Sequence, residues 1–389
     1  MAIHSFGAFV SRIAAGALAA AMATGSTALA AARPLGAFPA PQALPGAPRI
    51  VTLAEAERIF ADVLQRRAGG ASAQARMARR GPLPKPPKHV KVAGWVVDNG
   101  GYLWGVNKNG KILTYHSDCI IAGSGRVDHA GNLVVACGGG QEFNGVPGNV
   151  NVYKYGNTSS PADLVLTDAP GYVPDDAFED DAGNIYVVNL LQLTCIPPYC
   201  YVNPGNVERW SVGNQSSGAL PDTSYSDANM SELQSGDIDA GGTIYVSGSN
   251  TNYAPEVDAI SGGVATNLNI PLDSAGDVYV VNPNGAAPLL SVVDGGPFEQ
   301  AGGTLYQYAL PIAPSASPLF TDPTPQNLEK SCNPIGAGYA PGGTEFLVAT
   351  ANCQAVAYGQ EAAGPGHWKV RQNDDFVSAQ IGLFVPSDK

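Results

Sequence analysis

Glu179-Asp180-Asp-Ala-Gly183-Asn-Ile-Tyr-Val187 is the stretch whose reading decides the fold. An Asp carboxylate accepts backbone N–H bonds a few residues on, and Gly supplies the positive φ of a tight turn. The Ile-Tyr-Val that follows is strand-forming. The segment therefore reads as strand end, turn, strand. Val127-Asp128-His-Ala-Gly131-Asn-Leu-Val-Val135, Ile238-Asp239-Ala-Gly-Gly242-Thr-Ile-Tyr-Val246 and Leu272-Asp273-Ser-Ala-Gly276-Asp-Val-Tyr-Val280 repeat it. Val97-Asp98-Asn-Gly-Gly101-Tyr-Leu-Trp104 and Ala340-Pro-Gly-Gly343-Thr-Glu-Phe-Leu347 are weaker copies.

The reference glycines of these units stand at 101, 131, 183, 242, 276 and 343. In most units a further strand follows a variable loop, as in Asn149–Tyr155, Asn206–Trp210 and Pro255–Ile260. Repeats of strands at such irregular spacing predict a propeller, because blade loops lengthen without breaking the core, whereas solenoid rungs must keep register. The expected fold is all-β, a six-bladed β-propeller of four-stranded antiparallel blades over residues 92–389. A pair of β-sandwiches is the alternative on the same strand pattern. Composition agrees: of 389 residues 47 are Gly and 31 Pro, and only 14% are charged, which disfavours helical bundles.

The run Pro174-Asp-Asp-Ala-Phe-Glu-Asp-Asp-Ala-Gly-Asn-Ile-Tyr-Val-Val-Asn189 resembles the core of an NHL-type repeat, in which a proline-led strand, a D-x-x-G-N turn and an I-Y-V strand form the inner part of a blade. The resemblance covers residues 92 to 358. It implies a propeller fold and leaves the function open, since such propellers include receptors, scaffolds, lactonases and lyases.

An Asp three residues before the reference Gly recurs as Asp98, Asp128, Asp180, Asp239 and Asp273, once per unit, as a turn does and a catalytic group does not. Tyr186, Tyr245 and Tyr279 likewise read as packing residues between blades. Positions that differ among units are the candidates for function. Seven residues before each reference Gly stand Gly94, Ser124, Asp176, Ser235, Asn269 and Gly336, placed by the alignment where the innermost strands start. Ser124, Asp176, Ser235 and Asn269 are the candidate ligand-binding set of an axial mouth, with Asp175 and Asp237 nearby; the rival reading is a water-filled channel end. If an ion binds, Asp176 and Asn269 are its candidate ligands and Ca²⁺ is the ion these oxygens favour. No G-x-S-x-G nucleophile, EF-hand loop or H-E-x-x-H motif occurs. A lactonase-type metal site also needs a Glu at an inner-strand start of the first unit, and none stands there.

Residues 1–30 carry one charged residue, Arg12, an apolar run from Ile13 to Ala23 and the small-x-small triplet Ala28-Leu29-Ala30. This is the pattern of a cleaved secretory signal peptide, and the run is shorter than the ~20 residues that span a bilayer. Secretion or a periplasmic location is expected, with no transmembrane segment. Six cysteines in an oxidising compartment predict disulfides: Cys195–Cys200 closes a small loop stiffened by two prolines, and the hairpin layout pairs Cys119–Cys137 and Cys332–Cys353.

Residues 33–91 hold 11 Lys/Arg and 3 Asp/Glu, whereas 92–389 hold 9 and 30. The basic part, residues 31–91, reads as a Pro/Ala/Arg-rich linker with one amphipathic helix at about 53–67, opened by the capping-box spacing Thr52-Leu-Ala-Glu55. It either packs on the acidic domain or tethers the chain to an anionic surface. The net charge of −12 argues against nucleic-acid binding. The functional expectation is a secreted, monomeric, non-enzymatic binding or scaffold protein whose partner is a protein or a polar small ligand. The alternative is a Ca²⁺-assisted hydrolase or lyase of the lactonase type at the axial mouth. A third, weaker reading is adaptation of a sparsely charged acidic domain to an acidic exterior.

Overall fold

The computed structural model describes residues 49–59 and, with short breaks, 92–384. Nearly every described segment is a strand. In chain order these are β1 (Arg49–Thr52), β2 (Gly94–Asp98), β3 (Tyr102–Val106), β4 (Ile112–His116), β5 (Ile121–Val127), β6 (Leu133–Gly138), β7 (Asn149–Tyr153) and β8 (Leu164–Thr167). Then come β9 (Tyr172–Glu179), β10 (Ile185–Ile196), β11 (Tyr199–Trp210), β12 (Thr223–Ser226), β13 (Met230–Ile238), β14 (Ile244–Asn250), β15 (Pro255–Ser261) and β16 (Val264–Asn267). The last are β17 (Ala275–Val281), β18 (Leu289–Asp294), β19 (Thr304–Ala309), β20 (Phe320–Pro323), β21 (Asn333–Tyr339), β22 (Glu345–Ala351), β23 (Ala355–Gln360), β24 (Lys369–Gln372) and β25 (Ala379–Phe384).

All the pairings are antiparallel, and the sheets run β5-β6-β7-β8, β13-β14-β15-β16, β17-β18-β19-β20, β21-β22-β23-β24 and β25-β2-β3-β4, with a larger sheet on β9, β10 and β11. The leading strands touch in the order β5, β9, β13, β17, β21, β25, and β25 returns to β5. Sheets closed radially in this way form a β-propeller.

The expected set of six four-stranded blades is corrected here: five sheets are four-stranded blades, and the β9–β12 sheet is not. Its middle strands run 12 residues each, and β11 is long enough to pair β12 through Asn206–Arg209 and β1 through Tyr199–Val202, which makes five strands. Residues 49–52, placed in the linker by composition, thus extend a blade sheet. Helix begins at residue 53, and the Glu55 N–H donates to Thr52 Oγ1 at 3.2 Å, the first half of the expected capping box. The rest of that helix, and residues 1–48 with the signal-peptide pattern, lie outside the described residues.

The phase of two repeat units is also corrected. In three units, at Asp128–Gly131, Asp180–Gly183 and Asp239–Gly242, the D-x-x-G turn joins the innermost strand to the second. In the first unit Asp98–Gly101 joins β2 to β3, the second and third strands, because the innermost strand β25 arrives from residues 379–384. In the fifth unit the segment around Gly276 is no turn; it lies within the innermost strand β17, and β18 follows only at Leu289.

The true turns behave as their chemistry dictates. Gly131, Gly183 and Gly242 hold φ of 82°, 83° and 81°. Asp180 accepts from Ala182 N, Asn184 N, Asn184 Nδ2 and the Tyr186 hydroxyl at 2.8–3.0 Å. Asp239 accepts from Thr243 N and the Tyr245 hydroxyl. The tyrosine rings themselves pack in the core. Apolar clusters lie between successive sheets, as where Val134, Ala136, Val150 and Leu166 of one sheet meet Ala177, Ile185, Val187 and Trp210 of the next. Cys119–Cys137 ties the approach to β5 to the end of β6, and Cys195–Cys200 closes the tip of the β10–β11 hairpin. The expected Cys332–Cys353 pair falls outside the described residues.

The out-of-phase copy is testable. Asp180→Ala removes a four-bond acceptor and is expected to cost about 1–3 kcal/mol. Asp273→Ala, at an exposed carboxylate outside any such turn, is expected to cost about 0.5 kcal/mol or less. Urea unfolding of the two variants beside the parent checks this; equal losses would restore the uniform repeat.

Candidate functional site

The inner strands are irregular in the same place. Register shifts interrupt β5 between Ala122 and Gly125, β9 between Pro174 and Asp176, β13 between Leu233 and Ser235, and β17 between Ala275 and Val278. A β-bulge adds a residue, bends the strand and re-aims the side chains beside it. Here the bent strands approach closely: a Cβ on Gly123 would stand 2.2 Å from the Asp175 carbonyl oxygen, so only glycine fits.

The bulges surround one guanidinium. Arg126 on β5 is 4% exposed and reaches three neighbouring inner strands. Its Nη1 donates to Asp176 Oδ1 at 3.2 Å and Nη2 lies 3.0 Å from Asp176 Oδ2, on β9. Nη2 also donates to the Gly236 carbonyl of β13 at 3.1 Å, and to Asp277 Oδ1 and the Val278 carbonyl of β17 at 2.8 and 2.7 Å. Nε stands 3.9 Å from Asp237 Oδ2. The Tyr279 ring lies 5.0 Å from the guanidinium carbon, a cation–π contact. Ser235 Oγ donates to Asp176 Oδ2 at 2.7 Å, lies against Asp277 Oδ1, and accepts from Val278 N.

One cation thus faces three carboxylates with almost no access to water. Burial alone would lower the pKa of Arg126, but Asp176, Asp277 and Asp237 outweigh it and raise it. Burial pushes the carboxyls up against the pull of Arg126: Asp237 to about 6, Asp277 to about 7, and Asp176 in the same direction. Raised carboxyl pKa values mean the folded chain holds protons that the unfolded chain releases. The stability these groups contribute is therefore whole below the unfolded value of about 4 and is lost as pH rises through about 6 and 7.

Of the four residues assigned to the axial mouth, the structure brings Asp176 and Ser235 together. Ser124 lies on β5, the strand that carries Arg126, and its Oγ is buried without a hydrogen bond among the described residues. Asn269 is elsewhere: it is exposed in the connection from β16 to β17, with φ of 52° and its N–H on Asn267 Oδ1. Gly276 lies within β17 and marks no turn, so the position seven residues before it falls short of the inner strand. Asp176 and Asn269 therefore do not form a joint cation site, and among the described residues no group of three or more His, Cys, Asp or Glu is arranged to hold a metal. Tyr279, read as a packing residue between blades, faces Arg126.

Arg126 and Asp277 lie off the position counted from the turn and so give no signal there, whereas Tyr279 recurs with Tyr186 and Tyr245 and so reads as packing. The signal for Arg126 was its rarity: one of 9 basic residues among 30 acidic ones in 92–389, set in an apolar strand. His116 ends β4 buried between the Trp95 and Tyr153 rings, 5.0 and 4.0 Å from them, away from these carboxylates.

No family model matches the chain, and no curated protein matches it. Solved structures do. The hydrazine synthase of Kuenenia stuttgartiensis is similar at 13% identity over 72% of this chain and 79% of that one, with a TM-score of 0.43. A nidogen/laminin complex is similar at 11% identity over 76% and 98%, with a TM-score of 0.49. The extracellular domain of the putative one-component system BT4673 of B. thetaiotaomicron is similar at 13% over 76% and 38%, with a TM-score of 0.40. Similarity of this degree transfers no function, and the propeller assignment rests on the sheets described above.

Removing the guanidinium would strand its partners. Arg126→Met is expected to cost about 3–5 kcal/mol at pH 8 by leaving buried carboxylates uncompensated. The loss should shrink at pH 5, where the same carboxyls take up protons. Urea unfolding at the two pH values measures it, and an equal loss at both would show that Arg126 serves packing alone.

Proposed function

We propose that the chain is an exported β-propeller, secreted or periplasmic, acting as a non-enzymatic binding or scaffold protein for a protein or polar small-molecule partner. The observation that carries this reading is the axial cluster. Asp176, Asp237 and Asp277 are taken up by Arg126, Ser235 and backbone N–H groups, and among the described residues they leave no open set of oxygens converged on a reacting atom. Export is supported by the signal-peptide pattern of residues 1–30 and by the two disulfides. Among the described residues no helix is long and apolar enough to cross a membrane.

A binding role also accords with what the β9–β12 sheet exposes. Ile196 and Tyr199 at the hairpin tip are 63% and 52% exposed, and Ile50 on the adjoining β1 is 49% exposed. Apolar side chains grouped on one surface are more common at interaction sites than on inert faces.

The test is metal and turnover together. With CaCl₂ added to the full chain, thermal unfolding is expected to stay in place, and small lactones are expected to survive incubation with it. A native-state ligand at a hundred times its Kd would stabilise by about 2.7 kcal/mol, well within reach of a melting curve. A saturable Ca²⁺ shift that Asp176→Asn abolishes, or lactone hydrolysis above the uncatalysed rate, would install the lactonase-type reading instead.

A further inference from the structure

Two carboxyl pairs lie away from the axis, at equivalent places in successive seams. Glu208 on β11 stands opposite Val187, and Asp258 on β15 stands opposite Val246, the same register step in two adjacent sheets. Each meets an acid that directly follows the outermost strand of the preceding sheet: Asp168 after β8 for Glu208, and Asp227 after β12 for Asp258. None of the four is more than 4% exposed.

Their hydrogen bonding is incomplete in a specific way. The Ala169 N–H reaches both Asp168 Oδ1, at 2.8 Å, and Glu208 Oε2, at 3.4 Å. Asn189 Nδ2 donates to Asp168 Oδ1, and Asn206 Nδ2 donates to Glu208 Oε1. In the second pair the Asn229 N–H donates to Asp227 Oδ1 and Asn229 Nδ2 to Asp258 Oδ2. What remains is Asp168 Oδ2 in one seam, and Asp227 Oδ2 and Asp258 Oδ1 in the other, all buried without a donor among the described residues. Two ionised carboxylates in contact out of water repel, and an acceptor without a donor is costly there. A proton on one member removes both penalties.

We infer that each of these seams is closed by a carboxyl–carboxylate pair sharing one proton, so that the contact between neighbouring blade sheets is a latch set in acid and released in alkali. The preceding seam shows what a neutral version looks like. There Asn151 takes the register position of Glu208, opposite Val135, and Asp118 accepts from the Tyr153 hydroxyl at 3.2 Å.

The groups acting on the pairs reinforce the sign. Tyr172 is the titratable group beside the first pair, and Glu256, held by Asn250, faces the second; neither is a cation. Burial, then the partner acid, raises Asp258 to about 8 and raises Asp168 well above the usual carboxylate range. A retained proton lowers the folding constant about tenfold per pH unit between the unfolded and folded pKa values. The Asp258 latch therefore holds fully below about pH 4 and is lost as pH rises through about 8, and the Asp168 latch is lost in the same direction.

Urea unfolding of the full chain from pH 4.5 to 9 reads this out. The parent is expected to lose stability steadily toward alkaline pH. Asp258→Asn, which supplies a permanent donor and cannot ionise, is expected to lessen that decline by about tenfold per pH unit. Glu208→Gln should do the same at the other seam. A parent more stable at pH 8.5 than at pH 5, or variants whose effect is equal at every pH, would overturn the inference. Infrared spectra at pH 7 need no variant to read: protonated-carboxyl C=O absorption in the folded parent is expected, and its absence overturns the proposal. Ca²⁺ that restores the parent's alkaline stability would also overturn it, by showing that the pairs bind a cation.

Discussion

The buried ion cluster around Arg126 is the interaction on which the centre of the propeller depends. A guanidinium is planar and carries five donors, so one side chain can bridge several strands at once. Arg126 extends from β5 to β9, β13 and β17, taking carboxylates from all three and carbonyls from two of them. Inner strands in a propeller meet at bent, bulged edges where apolar packing is thin, and the guanidinium supplies directional contacts there. Such a cluster is not a source of large net stability, because desolvating the charges costs nearly what their attraction returns. Its effect is to set how four strands meet.

Farther from the axis the apolar clusters between sheets do the bulk of the stabilising, by burying both faces of each blade. The acids set among them follow a common logic. Where a turn surrounds an acid with N–H donors, as at Asp180, it is held as an acceptor. Where a second acid takes the donor's place, as at Asp168 with Glu208, a proton has to fill it. An acidic domain can therefore bury many carboxyls with few basic residues, by spending backbone donors and protons.

Much of the fold was legible from local chemistry. Turn residues at Asp128–Gly131, Asp180–Gly183 and Asp239–Gly242 announce hairpins because their requirement, a positive φ beside a carboxylate acceptor, is met within four residues. The Cys119–Cys137 pair follows from the same register, and Cys195–Cys200 from its close spacing around two prolines. A D-x-x-G turn does not say which hairpin of a blade it closes, however, so Asp98–Gly101 was assigned one strand too far inward. Asp273–Gly276 matched the pattern without being a turn, and the error carried Asn269 into a site it does not occupy.

Sequence by itself determined that the chain is built of short antiparallel strands in repeated sheets, that tight turns fall at Asp128–Gly131, Asp180–Gly183 and Asp239–Gly242, and that Cys119 pairs with Cys137 and Cys195 with Cys200, because those properties depend on neighbours within one hairpin. Only the tertiary structure decided the rest. Which strand closes the β2–β4 sheet, how many strands the β9–β12 sheet gathers, and that Arg126 meets Asp176, Asp237 and Asp277 all depend on contacts between residues tens to hundreds of positions apart. No local preference encodes such contacts; they arise when the ring closes and brings the bulged inner strands to a common axis.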